Sequence, residues 1–227
     1  MITIRKSEDR GHAGFGWLDT WHTFSFSSYQ DSRFMGVSAL RVINQDIVAP
    51  RTGFPPHPHD NMEILTYVLR GAVSHRDSMG NEQRVPAGEF QLMSAGTGVT
   101  HSEYNRDAGP LELLQIWLYP NVQNSEPGYQ QKRFDDCEGL QLVVSPDGAN
   151  GSLVIRQNAR IWRGQLRAGQ DTSHTLIGST VWVQVVSGQV HVNDRLLQSG
   201  DGAEIRDEPS LDFTALTDTE FLMFDLP

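Results

Sequence analysis

Short runs rich in Val, Ile, Leu and aromatic residues recur along this chain, and turn sequences such as DSMGN, SPDGANG and VNDRL separate them. No stretch carries apolar residues at a helical period of 3.6 between capping residues. Many short strands at regular spacing are typical of antiparallel sandwiches and barrels. We therefore predict an all-β fold from the runs ALRVIN, EILTYVL, GEFQLM, LELLQIWLY, LQLVV, SLVIRQ, VWVQVV, LDFTAL and EFLMFDL.

An internal repeat predicts that this fold is duplicated. The pattern V-x-x-G-x-V occurs in VLRGAV, which contains Gly71, and again in VVSGQV, which contains Gly188. A glycine-acid pair follows each copy, Gly88-Glu89 in the first and Gly200-Asp201 in the second. The segment VQNSEPGYQQKRFD between the copies is polar and lacks a strand pattern, so it is expected to link two halves.

The expected architecture is two antiparallel β-barrels of the jelly-roll type, packed together and divided near residues 130–140. The N-terminal barrel would comprise residues 1–133 and the C-terminal barrel residues 134–227.

Two pairs of polar residues in the first half have the spacing of metal ligands. His57 and His59 open the segment HPHDNMEILTYVLRG, and His101 and Glu103 lie in SAGTGVTHSEYN. In an extended chain residues i and i+2 point to the same face, so each pair would aim both donors at one barrel interior. Three imidazoles and a carboxylate suit Fe(II), Mn(II), Ni(II), Cu(II) or Zn(II), with one or two positions open to other ligands. The alternative is a polar barrel mouth that binds no ion.

Glu63 is an alternative carboxylate ligand. In a regular strand it would share a face with His57 and His59, unless Pro58 and a turn at Asp60-Asn61 break the register. When the two copies are aligned on Gly71 and Gly188, His174 corresponds to His57, because each lies 14 residues before its glycine. In the same alignment Leu176 replaces His59 and Thr180 replaces Glu63. The second copy has therefore lost most of the candidate ligand set.

Other polar and aromatic residues have simpler interpretations. His75 in AVSHRDS is expected at the surface, and His174 as a hydrogen-bonded structural residue. Cys137 lies in DDCEG, where carboxylates disfavour the thiolate, so it is not expected to act as a nucleophile. An aromatic run is expected to pack in the core rather than to line a substrate pocket, and its members are Trp21, His22, Phe24 and Phe26.

Composition excludes several classes of function. The net charge of −10 argues against direct nucleic-acid binding, which relies on clustered Lys and Arg. No apolar run approaches the ~20 residues that a membrane helix needs. The first residues, MITIRKSEDRGHAG, do not have the pattern of a signal peptide, and the single cysteine cannot form an internal disulfide. These features favour a cytoplasmic protein.

The two ligand segments resemble the cupin motifs G-x5-H-x-H-x3,4-E-x6-G and G-x5-P-x-G-x2-H-x3-N. The departures are Arg51 at the first glycine, Ser94 at the proline, seven residues between Glu63 and Gly71, and two extra residues before His101. These departures, together with GHAGFGWLDTWHTFSF, FMGVSALRVIN and the closing FDLP, resemble the pirin family along the whole chain. The similarity is greatest to bacterial pirin-like quercetin 2,3-dioxygenases.

The resemblance implies a bicupin with metal in the N-terminal barrel only. The family's ligands correspond by motif to His57, His59, His101 and Glu103, and Glu103 would also act in catalysis. One divalent first-row transition metal ion is expected, Fe before Cu, Ni, Mn or Zn. The implied activity is cleavage of the heterocyclic ring of flavonols such as quercetin with O2, releasing CO. The alternative is a metal-binding regulatory protein that acts through a protein partner.

Overall fold

The computed structural model describes all 227 residues and is built from β-strands, with two short 3₁₀ helices at Ser7–Asp9 and Ala149–Gly151. The strands of the first half of the chain are β1 (Ile2–Arg5), β2 (Gly11–Gly14), β3 (Leu18–His22), β4 (Leu40–Val48), β5 (Gly53–His59), β6 (Glu63–Arg70), β7 (Ala72–Asp77), β8 (Glu82–Pro86), β9 (Glu89–Ser94), β10 (Val99–Tyr104), β11 (Leu111–Leu118) and β12 (Gly128–Arg133). Those of the second half are β13 (Gly139–Ser145), β14 (Leu153–Val154), β15 (Arg160–Leu166), β16 (Asp171–Thr175), β17 (Thr180–Ser187), β18 (Gln189–Val192), β19 (Arg195–Gln198), β20 (Gly202–Arg206), β21 (Ser210–Ala215) and β22 (Thr219–Leu226). The predicted all-β class is confirmed. None of the helices has the length and apolar character to cross a membrane.

The strands form two compact units with the same topology. The N-terminal unit has a large sheet in the order β12-β9-β6-β11-β4-β3-β2 and a small sheet in the order β5-β10-β7-β8. The C-terminal unit has a large sheet in the order β1-β20-β17-β22-β15-β13-β14 and a small sheet in the order β16-β21-β18-β19. Strands β9-β6-β11-β4-β3 thus correspond to β20-β17-β22-β15-β13. The repeat in the sequence therefore corresponds to two copies of one cupin domain, which together form a bicupin.

Each unit is a jelly-roll-like pair of sheets, as expected, and the two sheets do not close into a continuous barrel. In the N-terminal unit, Val68 of the large sheet and Val73 and Val85 of the small sheet are fully buried in one apolar cluster. In the C-terminal unit, Val183 and Phe213 join the two sheets in the same way. Alternation along each strand gives each sheet one apolar face, and two such faces enclose the core without any need for the sheets to join at their edges.

The division into units does not follow chain order alone. Residues 11–134 with 155–157 form the N-terminal unit, and residues 1–10, 135–154 and 158–227 form the C-terminal unit. The first residues join the C-terminal unit because β1 pairs antiparallel with β20 and Lys6 Nζ lies 2.9 Å from Asp201 Oδ2. Strand β1 is thus an edge strand of the C-terminal unit, whereas a single domain boundary between residues 133 and 134 would place it in the N-terminal unit.

The polar segment between the repeats is not simply a linker. Its residues Gly128–Arg133 form β12, which pairs antiparallel with β9 at the edge of the large sheet. All of these residues except Arg133 are partly buried, and Tyr129 Oη donates a hydrogen bond to Gln91 Oε1 at 3.1 Å. Polar residues suit an edge strand because they discourage pairing with another chain. Such a strand has no apolar alternation by which a sequence could reveal it.

Gly188 lies at the tight turn between β17 and β18, with φ of +83°, and a Cβ there would lie 2.3 Å from the carbonyl oxygen of Asp218. Gly188→Ala is therefore expected to lower the free energy of unfolding by about 3 kcal/mol, combining left-handed strain with overpacking. Gly80→Ala is the control, because Gly80 has φ of +94° but a Cβ would meet nothing within 4 Å. The Gly80→Ala variant should lose only about 1–2 kcal/mol of its free energy of unfolding. Equal losses on denaturant unfolding would contradict the role of the close contact.

Candidate metal centre

Three histidine side chains converge on the inner side of the small sheet of the N-terminal unit. His57 and His59 belong to β5 and His101 to the neighbouring β10, where His101 stands directly opposite His57. The ring centroids are 4.5 Å apart for His57 and His101, 4.8 Å for His57 and His59, and 5.0 Å for His59 and His101. One ring nitrogen from each lies within 4.8 Å of the others. The same-face spacing of His57 and His59 therefore brings both donors to one point.

The nitrogen positions fit a shared metal ion. His57 Nδ1 lies 2.8 Å from the carbonyl oxygen of Pro55, which requires the proton on Nδ1 and leaves a lone pair on Nε2. His57 Nε2 and His101 Nε2 are 3.0 Å apart. Two nitrogens bound to one ion at about 2.1 Å and at right angles would lie roughly 3 Å apart. Orientation of a ligand imidazole by a backbone carbonyl is common in metal sites.

The charge state of the histidines also fits a metal site. Burial, with His101 and His57 nearby, lowers the pKa of His59 to about 4. Burial, with His57 and His75 nearby, lowers the pKa of His101 to about 3. Both imidazoles are therefore neutral at pH 7, which is the form that binds a metal ion.

Glu103 lies beside this cluster, two residues after His101 on β10. Its carboxylate is within 4.8 Å of ring nitrogens of His75 and His101. Gln115 Nε2 donates a hydrogen bond of 2.8 Å to Glu103 Oε2, and the Thr66 hydroxyl lies 3.4 Å from Oε1. The structure thus groups three of the four expected ligands directly and places the fourth next to them, held by two buried polar side chains.

Glu63, the alternative carboxylate, lies elsewhere. Asn61 has φ of +46° and turns the chain, so that His59 ends β5 in the small sheet and Glu63 begins β6 in the large one. The Glu63 carboxylate accepts hydrogen bonds from Ser94 Oγ at 2.8 Å and from the Arg156 backbone N–H at 3.2 Å. Residues 57, 59 and 63 would share one face only if they belonged to a single regular strand. The turn at Asn61 divides them between two strands, so they do not share a face.

His75 is buried, with 1% of its surface exposed, so its expected surface position was wrong. Its Nε2 lies 3.0 Å from Asp77 Oδ2, and Asp77 also accepts hydrogen bonds from the backbone and side chain of Asn81. The signal was present in the sequence, because Val73, His75 and Asp77 alternate with Ser74 and Arg76 and share the inner face.

A cavity of about 370 Å³ adjoins the cluster and is lined by His57, His59 and Glu103. This volume lies within the range of roughly 300–1,000 Å³ that is usual for small-molecule sites. Its walls include the aromatic side chains of Phe15, Phe26, Phe54 and Trp117 and the imidazole of His22. The expected core role of the aromatic run therefore holds for Phe24, which is 1% exposed, but not for His22 and Phe26. Trp21 instead stacks on His12.

Asp46 and Thr20 are polar residues of the cavity wall that the sequence did not single out. They stand opposite each other on β4 and β3. Burial raises the pKa of Asp46 to about 7, against the effect of the Thr20 hydroxyl and with a further increase from Glu103. Their positions in the sequence, 26 residues apart, give no local sign of this pairing.

The C-terminal unit has apolar residues where the N-terminal unit has donors. His174 pairs with Leu211 as His57 pairs with His101, and Val192 pairs with Phe213 as His75 pairs with Glu103. Leu211 and Phe213 are fully buried in the apolar core of that unit. His174 lies against Trp162, with its Nε2 3.8 Å from Asp225 Oδ2, a distance too long for a hydrogen bond. In the C-terminal unit, apolar core side chains therefore occupy the space that the candidate metal-binding side chains occupy in the N-terminal unit.

Comparison with known proteins identifies the family. The sequence model of the family described as Pirin matches residues 3–118, and that described as Quercetinase C-terminal cupin domain matches residues 142–226. The quercetin 2,3-dioxygenase of Escherichia coli (strain K12) is 51% identical over 100% of this chain and 99% of its own. The chain belongs to the pirin family. A putative quercetin 2,3-dioxygenase of Pseudomonas aeruginosa, another relative of this pirin, is 40% identical over the full length of both chains.

Solved structures of similar proteins have the same fold. The crystal structure of YhhW from Escherichia coli matches this pirin with a TM-score of 0.98 and 51% identity, covering 100% of this chain and 98% of that one. A second structure, of the bacterial pirin YhhW in complex with nickel(II), matches with a TM-score of 0.97 and 50% identity, covering 100% and 99%.

Proposed function

We propose that this pirin is a metal-dependent dioxygenase that cleaves the heterocyclic ring of flavonols such as quercetin with O2 and releases CO. The observation that carries the proposal is the convergence of three imidazoles at the wall of an aromatic cavity. The 51% identity to a quercetin 2,3-dioxygenase over the full chain supports the same activity.

The proposed ligands are His57, His59, His101 and Glu103, which would hold one divalent first-row transition metal ion. Fe is our first candidate, and the nickel(II) complex of YhhW shows that a pirin with 50% identity accepts another ion of this class. Imidazole and carboxylate donors accommodate several such ions, so availability and geometry decide between them. When bound there, such an ion would supply Lewis acidity that lowers the pKa of a coordinated hydroxyl oxygen.

The protein's own groups position the substrate and accept its proton. Phe26, Phe54 and Trp117 give the cavity flat aromatic walls that suit the planar rings of a flavonol. Glu103 lines the same cavity, so its carboxylate can accept the proton of the 3-hydroxyl group of the flavonol. The hydrogen bonds from Gln115 and the adjacent Thr66 fix the direction of that carboxylate. The apolar walls limit the access of water to the flavonolate anion.

The proposal is tested by loading the purified protein separately with Fe(II), Ni(II), Cu(II), Mn(II) and Zn(II) and assaying each form aerobically with quercetin. We expect O2 consumption and CO release in equal amounts, one of each per quercetin cleaved, from at least one loaded form and not from metal-free protein. Absence of CO from every loaded form would refute the dioxygenase proposal. Metal binding without turnover would instead favour a pirin that acts through a protein partner.

A further inference from the structure

Three buried polar atoms of residues in the cavity wall have no hydrogen-bond partner of good geometry within the protein, and they are Trp117 Nε1, Thr20 Oγ1 and Asp46 Oδ1. Thr20 and Asp46 line the cavity with only 2% and 3% of their surfaces exposed. Thr20 Oγ1 and Asp46 Oδ1 make no hydrogen bond of good geometry, although the Thr20 hydroxyl lies near enough to Asp46 to lower the pKa of its carboxyl group. Buried polar groups are almost always satisfied, because an unmade hydrogen bond in the interior costs free energy. The cross-strand pair of Thr20 and Asp46 therefore has hydrogen-bonding capacity left for a polar group that enters the cavity.

Apart from the indole N–H of Trp117, the other buried polar side chains of the wall bond to protein groups. Asn44 Oδ1 is 2.8 Å from His22 Nδ1. Gln115 donates to Glu103 and lies 3.0 Å from the Thr66 hydroxyl. The Thr20–Asp46 pair is thus a separate polar position, contributed by β3 and β4, whereas the histidines are contributed by the small sheet.

The chemistry of the pair selects a hydroxyl group. A hydroxyl can donate its proton to Asp46 Oδ1 and accept a hydrogen bond from Thr20 Oγ1, which satisfies both atoms at once. Leu18 and Phe54 also line the cavity, so the hydroxyl must be carried by an apolar or aromatic body.

We infer that Thr20 and Asp46 form a subsite for a phenolic hydroxyl of the substrate, distinct from the oxygen that faces the three histidines. The inference rests on the proposed function for the location of the substrate. It makes the pair a determinant of specificity, because flavonols with ring hydroxyls bind there and the unsubstituted 3-hydroxyflavone does not use it. A hydrogen bond of this kind contributes on the order of tenfold to hundredfold in affinity.

The test is calorimetric binding without oxygen, using protein loaded with Ni(II) and two probes, quercetin and 3-hydroxyflavone. The wild-type protein is expected to bind quercetin at least about tenfold more tightly than 3-hydroxyflavone. Thr20→Val and Asp46→Ala should each weaken quercetin binding by about tenfold or more, because each removes one partner of the hydroxyl. Each should leave binding of 3-hydroxyflavone within about twofold of wild type, since that probe has no ring hydroxyl to lose.

Two further variants separate recognition from folding. Asp46→Asn preserves the shape and one acceptor oxygen, so it should retain metal content and show a smaller loss of selectivity than Asp46→Ala. Ser28→Ala removes another hydroxyl that lines the cavity, but Ser28 is exposed and needs no ligand to satisfy it, so selectivity should not change. The melting temperature and bound metal of every variant are measured alongside.

An equal loss for both flavonols, or no loss for quercetin, would overturn the subsite. Aerobic CO release by the wild-type protein then distinguishes the two proposals. Turnover without the expected selectivity would refute the subsite alone, and selectivity without turnover would refute the dioxygenase alone. If the wild-type protein bound neither flavonol, both proposals would fall.

Discussion

His57→Ala and His101→Ala are each expected to reduce the bound metal from about one ion per chain to nearly none. Each change removes one of three imidazoles whose nitrogens lie within 4.8 Å of one another, and two imidazoles cannot reproduce that donor set. Metal content after loading and desalting is the direct measurement. The thermal stabilisation by metal should vanish in parallel, and at a 100-fold excess over Kd it amounts to about 2.7 kcal/mol.

His174→Ala is the matched control, because His174 occupies the position in the C-terminal unit that His57 occupies in the N-terminal unit. Its metal content should equal that of the wild-type protein, since Leu211 and Phe213 stand where a site would need His101 and Glu103. Two ions per wild-type chain of similar affinity would contradict the expected asymmetry. Full retention of metal by His57→Ala would contradict the proposed ligand set.

Glu103→Gln is expected to lower quercetin turnover, normalised to bound metal, by on the order of 10²-fold or more, the usual scale for loss of a general base. Glutamine keeps an oxygen donor of similar shape but loses the negative charge and most of the basicity. The protein should retain part of its metal, since His57, His59 and His101 are unchanged. CO release and O2 consumption are the measurements.

Glu63→Gln is the control for this change. Its carboxylate is also buried, but it bonds to Ser94 and the Arg156 backbone and does not line the cavity. Turnover should fall by no more than about tenfold, the scale of changes that act through the surroundings of a site. Equal turnover in wild type and Glu103→Gln would mean that Glu103 accepts no proton in the reaction, and that the flavonol chemistry is background metal chemistry.

Local patterns in the sequence determined the strand character, the duplication and three convergent donors. Alternating apolar residues favour a strand with one apolar and one polar face. Gly188 marks the turn between β17 and β18, because residues other than glycine are strained at its φ of +83°. The convergence of His57 and His59 follows from strand periodicity, which acts over two residues. The convergence of His101 with these two residues could be predicted because it requires only that a second strand has a face toward the same interior.

Tertiary structure alone decided the features that depend on which strands meet. The pairing of β1 with β20 assigned the first residues to the C-terminal unit, and the pairing of β12 with β9 turned an expected linker into an edge strand. The turn at Asn61 separated Glu63 from the histidines. The register of β3 against β4 placed Thr20 opposite Asp46. Hydrogen-bonded pairing between distant strands sets all of these, and a one-residue shift in register would reverse every side chain, so the pattern within any one strand could not reveal them.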